Sequence, residues 1–155
     1  MVSKGRTIQR RNLRKALEDE IRKRVQPGRK LVIRVENPER PYNNGHNGFI
    51  KTWAHLPCPK DDKYVEGNEL LIDKLRISCK VVCSTKSTTQ LSRWFKKSRY
   101  KSNLEDMNIN SYVTFLSVPE DHYVELKHQC LIERDKAQSL LKIKLDDWFN
   151  AYYAK

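Results

Sequence analysis

The fold class is decided by the stretch LLIDKLRISCKVVCS, residues 70–84. Apolar and polar residues alternate along most of its length. One side carries Leu75, Ile77, Cys79, Val81 and Cys83, and the other carries Lys74, Arg76, Ser78, Lys80 and Ser84. A period of two is typical of a strand with one buried face and one solvent face. The stretch therefore predicts a half-buried β-strand whose outer face is basic.

Outward from this strand, turn residues separate several more short apolar runs. They lie at residues 31–35, 49–56, 90–95, 112–118 and 123–132. Short strands punctuated by turns are typical of β-sandwiches and barrels. We therefore predict a mainly β fold, with a single β-sandwich or jelly-roll-like domain over residues 29–155.

The C-terminal segment keeps an α+β fold open as the alternative. Leu141, Ile143 and Leu145 alternate as they would in a strand. The apolar residues of the same segment also fit one helical face, which would consist of Ala137, Leu140, Leu141, Leu145, Trp148, Phe149 and Tyr152. Both a strand and a C-terminal helix are compatible with this pattern.

Residues 1–28 predict a basic helical arm ahead of the β-domain. Apolar residues recur every four positions, at Leu13, Leu17, Ile21 and Val25, before a Pro-Gly pair ends the segment. This apolar stripe is one residue wide, narrower than that of a helix in a globular core. Such a helix could lie along the domain, meet a second copy of itself, or become ordered only on nucleic acid.

The arm and the first residues after it hold most of the surplus positive charge. The chain carries a formal net charge of +12, and its first 34 residues contain twelve basic and three acidic residues. Charge concentrated in one segment is typical of a protein that binds a polyanion. Arginine favours phosphate because its guanidinium donates two parallel hydrogen bonds. The arm residues that we predict to bind nucleic acid are Lys4, Arg6, Arg10, Arg11, Arg14, Lys15, Arg22, Lys23 and Arg24.

A second basic cluster, RWFKKSRYK at residues 93–101, mixes cations with aromatic residues. Cations neutralise phosphates, and aromatic faces stack on unpaired bases. The residues that we predict to bind nucleic acid here are Arg93, Trp94, Lys96, Lys97, Arg99, Tyr100 and Lys101. The alternative is that Trp94 and Phe95 belong to the core and that the lysines are ordinary solvated surface.

Paired thiols and imidazoles raise the question of a zinc site. The pairs are His55 with Cys58, Cys79 with Cys83, and His128 with Cys130. Zinc needs four converging ligands, whereas cysteine on the apolar side of a strand behaves as a small hydrophobic residue. We therefore expect buried thiols, with no metal and no cofactor.

A nuclease is the enzymatic alternative. Asp121 followed by Glu125-Leu126-Lys127 is similar to the acid plus Glu-x-Lys pattern of metal-dependent restriction-type endonucleases, in which acids hold Mg²⁺. A pattern of so few residues also occurs on ordinary charged strands. We predict that the protein is not an enzyme.

The sequence also bears on location. No apolar run approaches the roughly 18 residues of a membrane-spanning helix, and no secretory signal begins the chain. We expect a protein of the virion, cytoplasm or nucleus that is not secreted. The acid-free residues 1–17 also suit a mitochondrial presequence, although Glu18-Asp19-Glu20 follows at once.

The stretch GNELLIDKLRISCKVV, residues 67–82, resembles an early strand of the small single-jelly-roll capsid proteins of satellite viruses and small single-stranded-DNA viruses. Their basic arm followed by a small β-domain is similar to the layout of this chain. The resemblance implies an arm that neutralises a packaged genome, with Arg6, Arg10, Arg11, Arg14 and Lys15 facing nucleic acid. It also implies a β-domain that assembles into a homo-oligomeric shell.

Three functions follow from these patterns. The first is a non-enzymatic nucleic-acid-binding protein with a structural, capsid-like role in packaging a viral genome. The second is a small RNA- or DNA-binding module of the ribosome-associated, shuttle, movement or silencing-suppressor type, which forms no shell. The third is the Mg²⁺-dependent nuclease.

Overall fold

The computed structural model describes residues 4–36, 81–94, 111–125 and 130–152. The helices are α1 (Lys4–Arg22), α2 (Thr88–Trp94) and α3 (Leu145–Ala151). The strands are β1 (Arg29–Glu36), β2 (Val81–Ser84), β3 (Tyr112–Pro119), β4 (Tyr123–Glu125), β5 (Cys130–Glu133) and β6 (Gln138–Lys144). Short 3-10 turns at Glu120–His122 and Arg134–Lys136 follow β3 and β5.

The first sheet has the order β1-β3-β6, and both of its strand pairs are antiparallel. Gly28, with φ +82°, makes the turn that leads from α1 into β1. The strand β1 reads RKLVIRVE, and its last six residues are all buried. A strand covered on both faces loses the alternation of a half-exposed strand, which is why its sequence reads as an apolar run.

The second sheet has the order β2-β5-β4 and is also antiparallel. Among the described residues, it joins the first sheet through one bridge, in which the main-chain amides and carbonyls of Ile33 and Thr85 exchange hydrogen bonds of 2.9 and 3.0 Å. The predicted strand at residues 70–84 is confirmed for Val81–Ser84, which form β2, and its residues 70–80 lie outside the described ranges.

Two apolar clusters cover the two faces of the first sheet. On one face, Ile33 and Phe115 pack with Ile21 of α1, Leu91 of α2 and Trp148 of α3. On the other face, the cluster joins the two sheets through Val32, Leu116, Val118, Cys130 and Ile132. The first sheet is therefore enclosed between a layer of helices and the second sheet.

The helix α1 lies along the domain, which is one of the three arrangements that its sequence allowed. Ile21 is 1% exposed, and Leu17 and Val25 pack at the edge of the same cluster. Arg14 is buried on this face as well, so its alkyl stem adds the width that the apolar stripe lacks. Leu13, which also belongs to the predicted stripe, is 49% exposed.

The mainly β class of the predicted fold is confirmed, and Tyr112–Val118 is a strand as expected. The C-terminal segment forms both of the elements that its sequence allowed, first β6 and then α3. The jelly-roll arrangement and the division of the chain at residue 28 stay predictions. Within the described residues, no helix is long and apolar enough to cross a membrane.

Two predicted strands are wrong. Residues 90–94 are helical, because Ser87 Oγ accepts the amide of Gln90 at 3.1 Å and Gln90 Oε1 accepts the amide of Lys86 at 2.8 Å. These local hydrogen bonds fix the start of a helix. Residues 123–132 do not form one strand, because Tyr123–Glu125 pairs antiparallel with Cys130–Glu133. The chain therefore reverses direction within that run.

Candidate nucleic-acid interface

The predicted arm cations lie on or just beyond α1, and most of those whose side chains the structure describes are exposed. Lys4, Arg6 and Arg10 belong to the first half of the helix. The exposed cations are Arg11, Lys15, Arg22, Lys23 and Arg24. The exception is Arg14, which is 8% exposed. Its position on the inner face of α1 removes it from the surface that a nucleic acid can reach.

The charges along α1 run against the helix dipole. Six of its seven cations fall in residues 4–15, its three acids fall in residues 18–20, and its first turn contains no acid. A helix is stabilised by negative charge at its N-terminus and positive charge at its C-terminus. The cations at the N-terminal end therefore do not serve the stability of the isolated helix. An anion bound beside them would be stabilised by both the side chains and the dipole.

The acidic residues of α1 form ion pairs with only some of the predicted arm cations. Arg22 Nη2 contacts Glu18 Oε2 at 2.9 Å, and Lys23 Nζ contacts Glu20 Oε1 at 3.1 Å. We call Arg11, Lys15 and Arg24 the outer cations, since they make no ion pair with any residue in the described part of the chain. The outer cations are therefore available to an external anion.

Arg14 and Glu18, one turn apart on α1, cap two other helices. Arg14 Nη1 donates to the carbonyl of Tyr152, which ends α3, at 3.3 Å. Glu18 Oε1 accepts the amide of Thr88, which begins α2, at 2.5 Å. Helix ends leave carbonyls and amides without partners inside the helix, and the sign of each side chain suits the dipole that it meets. These contacts were missed from sequence, because only the tertiary fold brings the partners together.

The second basic cluster is only partly described. Arg93 and Trp94 are the last two residues of α2. Lys96, Lys97, Arg99, Tyr100 and Lys101 lie outside the described ranges, so their part in binding stays a prediction. The Ser87-x-x-Gln90 spacing that starts α2 is a capping signal, and it could have identified this helix from the sequence.

A separate group of charges lies inside the fold. Arg134 donates to both carboxylate oxygens of Glu36, from Nε at 2.7 Å and from Nη2 at 3.2 Å. Arg34 Nη1 contacts Glu36 Oε2 at 3.3 Å, and the Arg34 side chain is fully buried. Arg34 is the last of the twelve basic residues counted in the first 34 positions, but its side chain lies in the interior of the fold.

Of the residues of the nuclease pattern, Glu125 is engaged in surface contacts. Glu125 accepts a hydrogen bond from Tyr123 Oη at 3.2 Å and lies 4.0 Å from Lys86 Nζ. Burial, with smaller effects of Cys130 and Glu125, raises the pKa of the Tyr123 phenol, which therefore stays a neutral donor. Asp121 is mostly exposed, and Lys127 lies outside the described ranges.

Most residues of the His and Cys pairs considered as zinc ligands also lie outside the described ranges. These are His55, Cys58, Cys79 and His128. Cys130 is a buried free thiol in the cluster between the sheets. Within the described ranges, no three His, Cys, Asp or Glu side chains converge as metal ligands would.

The architecture defines a small β-rich protein, built of two antiparallel sheets, with a cationic helix docked on one sheet face. Residues 25–151 match the family described as Bacteriophage T4 Y00F protein. The chain belongs to this phage protein family, which supports the viral origin that the sequence resemblance implied. The match begins three residues after the end of α1, so it covers the β-domain and not the cationic helix. No curated protein and no solved structure is significantly similar to the chain.

Proposed function

We propose that this protein is a non-enzymatic nucleic-acid-binding protein that holds a phosphate backbone against the outer side of α1. The observation that carries the proposal is the reversed charge distribution of α1, together with the exposed cations Arg11 and Lys15 in the part of the helix that precedes its acids. Such an arrangement costs stability in the free protein and is relieved when phosphates bind.

The β-domain holds α1 in place for this task. Ile21 anchors the helix in the core, and Arg14 and Glu18 attach it to α3 and α2. A helix that is already ordered loses less conformational entropy on binding than a flexible basic tail does. We therefore expect moderate affinity from few cations.

The experiment is a salt titration of binding to a fluorescein-labelled single-stranded DNA of 20 nucleotides, with the same sequence as RNA in a second arm. If about six arm cations contact phosphates, the plot of log Kobs against log salt has a slope of roughly −4 to −5. The double variant R11Q/K15Q should reduce the magnitude of that slope by roughly 1.5.

The matched control is K142Q/K144Q, which removes the same charge from two exposed positions on β6. The proposal predicts that this control keeps the wild-type slope. An equal reduction of the salt slope in both double variants would mean that net charge alone drives binding. Binding to phosphatidylserine vesicles without binding to either oligonucleotide would assign α1 to a membrane surface instead.

A structural, capsid-like role is a further part of the same prediction. It requires self-assembly as well as binding. Light scattering of the purified protein, with absorbance followed at 260 nm, tests it. A large homo-oligomer that carries nucleic acid supports genome packaging, and a monomer or dimer supports the smaller binding module.

A further inference from the structure

We infer that α1 enters the major groove of double-stranded DNA and contacts base edges through Gln9 and Asn12. This inference rests on the proposed function, because it names the kind of nucleic acid that the outer side of α1 binds. It goes beyond that function in two respects. It selects B-form duplex DNA over single strands and RNA, and it makes binding depend on the base sequence.

The outer side of α1 contains a short stripe of uncharged residues. Gln9, Asn12 and Ala16 are all exposed, and they follow one another at spacings of three and four residues, so they share one side of the helix. Asn12 lies about two and a half turns before Ile21 and therefore faces away from the residue that anchors α1 in the core. The stripe is thus on the side of the helix that points away from the domain.

Two of the outer cations lie beside this stripe. Arg11 and Lys15 are exposed, and each directly precedes a residue of the stripe. One residue corresponds to about 100° of rotation around a helix, so both cations lie on the same flank of the stripe. In protein–DNA complexes, contacts with phosphate position the protein and contacts with base edges supply specificity. A row of cations beside a row of amides therefore matches a phosphate backbone beside the base edges of a groove.

The uncharged side chains of the stripe suit bases better than phosphates. The amides of Gln9 and Asn12 carry both donors and an acceptor, which allows a bidentate contact with N6 and N7 of adenine in the major groove. Alanine, as at Ala16, makes apolar contact with the methyl group of thymine. A surface that bound phosphate alone would gain more from cations at these exposed positions.

The helix suits B-form DNA better than the other nucleic acids. The major groove of B-DNA is about 12 Å wide and admits an α-helix, whose diameter is about 10–12 Å. Proteins that bind single strands stack bases on aromatic side chains, and α1 contains no aromatic residue. Double-stranded RNA is excluded for a different reason, because its major groove is too narrow for side chains to read.

Two acidic residues determine which end of α1 enters the groove. Asp19 and Glu20 are exposed, and they follow Ala16 by three and four residues on the outer side of the helix. Carboxylates at this end repel the phosphates that line the groove. The N-terminal half of α1 therefore enters the groove, as the N-terminal residues of the recognition helix do in helix-turn-helix proteins.

The first experiment compares three fluorescein-labelled probes of equal length at one salt concentration. They are duplex DNA with a randomised centre, single-stranded DNA and duplex RNA. We expect the lowest Kd for duplex DNA. Repeated selection from the randomised duplex pool should then enrich a sequence with A·T pairs at fixed positions, because asparagine and glutamine pair with adenine.

The second experiment compares N12A and Q9A with the matched control N150A, which changes an exposed asparagine on α3. All three substitutions keep the net charge, and alanine favours a helix more than asparagine or glutamine does. We expect wild type and N150A to bind the enriched duplex about tenfold more tightly than a duplex in which one fixed A·T pair is G·C. N12A should lose this preference at one A·T pair and Q9A at a neighbouring pair. Both should keep the wild-type salt slope, because the phosphate contacts remain.

Three results would overturn the inference: single-stranded DNA or duplex RNA binds as tightly as duplex DNA, the duplex pool stays random after selection, or N12A or Q9A keeps every base preference of the wild type. If N12A does not fold, which circular dichroism detects, Q9A alone decides. A wild-type protein that binds none of the three probes overturns the proposed function itself, whereas tighter binding to single strands overturns only the inference.

Discussion

Arginine occurs both among the outer cations and among the interior charges of this protein, in opposite surroundings. Arg11, Lys15 and Arg24 point to solvent without an ion pair among the described residues. The interior charges, which are Arg14, Arg34, Glu36 and Arg134, are buried or half-buried and satisfy helix ends or one another. The difference shows that a high net charge is divided between a surface for ligands and a set of contacts that hold the fold.

Because the charges are divided in this way, a high density of basic residues in the sequence does not by itself identify the residues that bind a ligand. Arg11 and Arg14 are three residues apart, and the amino-acid composition of the segment cannot show which of them is buried. The structure distinguishes them, because the Arg11 side chain is exposed to solvent and the Arg14 side chain donates a hydrogen bond to the end of α3. The two groups should therefore respond differently to mutation, with interior changes affecting stability and outer changes affecting binding.

The largest effect is expected at Glu36. E36A leaves Arg34 and Arg134 without the carboxylate that they share, and breaking a buried ion pair from one side costs about 3–5 kcal/mol. Urea denaturation followed by circular dichroism measures this loss in the free energy of unfolding. The matched control is E120A, whose exposed carboxylate lies 4.0 Å from Lys30 Nζ and should contribute within about 0.5 kcal/mol. Equal losses would show that the Glu36 cluster is no stronger than a surface pair.

A smaller loss of stability is expected at Ile21, the residue that anchors α1. I21A removes a side chain that is buried in the cluster with Leu91 and Trp148, which should cost about 3 kcal/mol. L13A, on the same helix but half exposed, should cost far less. If both variants have the same urea midpoint of unfolding as the wild type, the core does not hold α1 in place. The helix would then have to become ordered on binding nucleic acid.

The smallest effect separates two arginines of one helix. R14Q removes a charged donor from the last carbonyls of α3 and should lower stability by about 1.5 kcal/mol while keeping the salt slope. R11Q should keep stability within about 0.5 kcal/mol and reduce the magnitude of the slope by roughly 0.8. Thermal unfolding and the salt titration, run on both proteins, measure the two quantities. If R14Q reduces the salt slope and R11Q lowers the stability, then Arg14 contacts phosphate and Arg11 does not.

The sequence predicted the elements whose pattern is local. The apolar run of β1, the strand at 112–118 and the period-four helix of α1 are all present. It missed α2, where the Ser87–Gln90 capping contacts override an apolar run that resembles a strand, and it missed the reversal between β4 and β5. The candidate site was predictable as a basic segment. The capping roles of Arg14 and Glu18 were not, because their partners are 138 and 70 residues away.

These long-range contacts also change how the arm is best tested. An arm that is separate from the domain could be deleted without cost. Deleting α1 here would remove Ile21 from the core and the caps of α2 and α3. Substitution of the outer cations is therefore the cleaner test, since it keeps every interior contact.

The pairing of β1 with β3 has a consequence for the newly made chain. Arg29 and Ser117, which are hydrogen-bonded in the finished sheet, are separated by 88 residues. A ribosome that adds 5–20 residues per second needs roughly 4 to 18 s to cover that interval. During this time the apolar β1 segment has no β3 to pair with, and unpaired apolar strand segments are a hazard for misassembly. Such distant pairing also slows refolding, so stopped-flow experiments should find milliseconds to seconds instead of the microseconds of helical bundles.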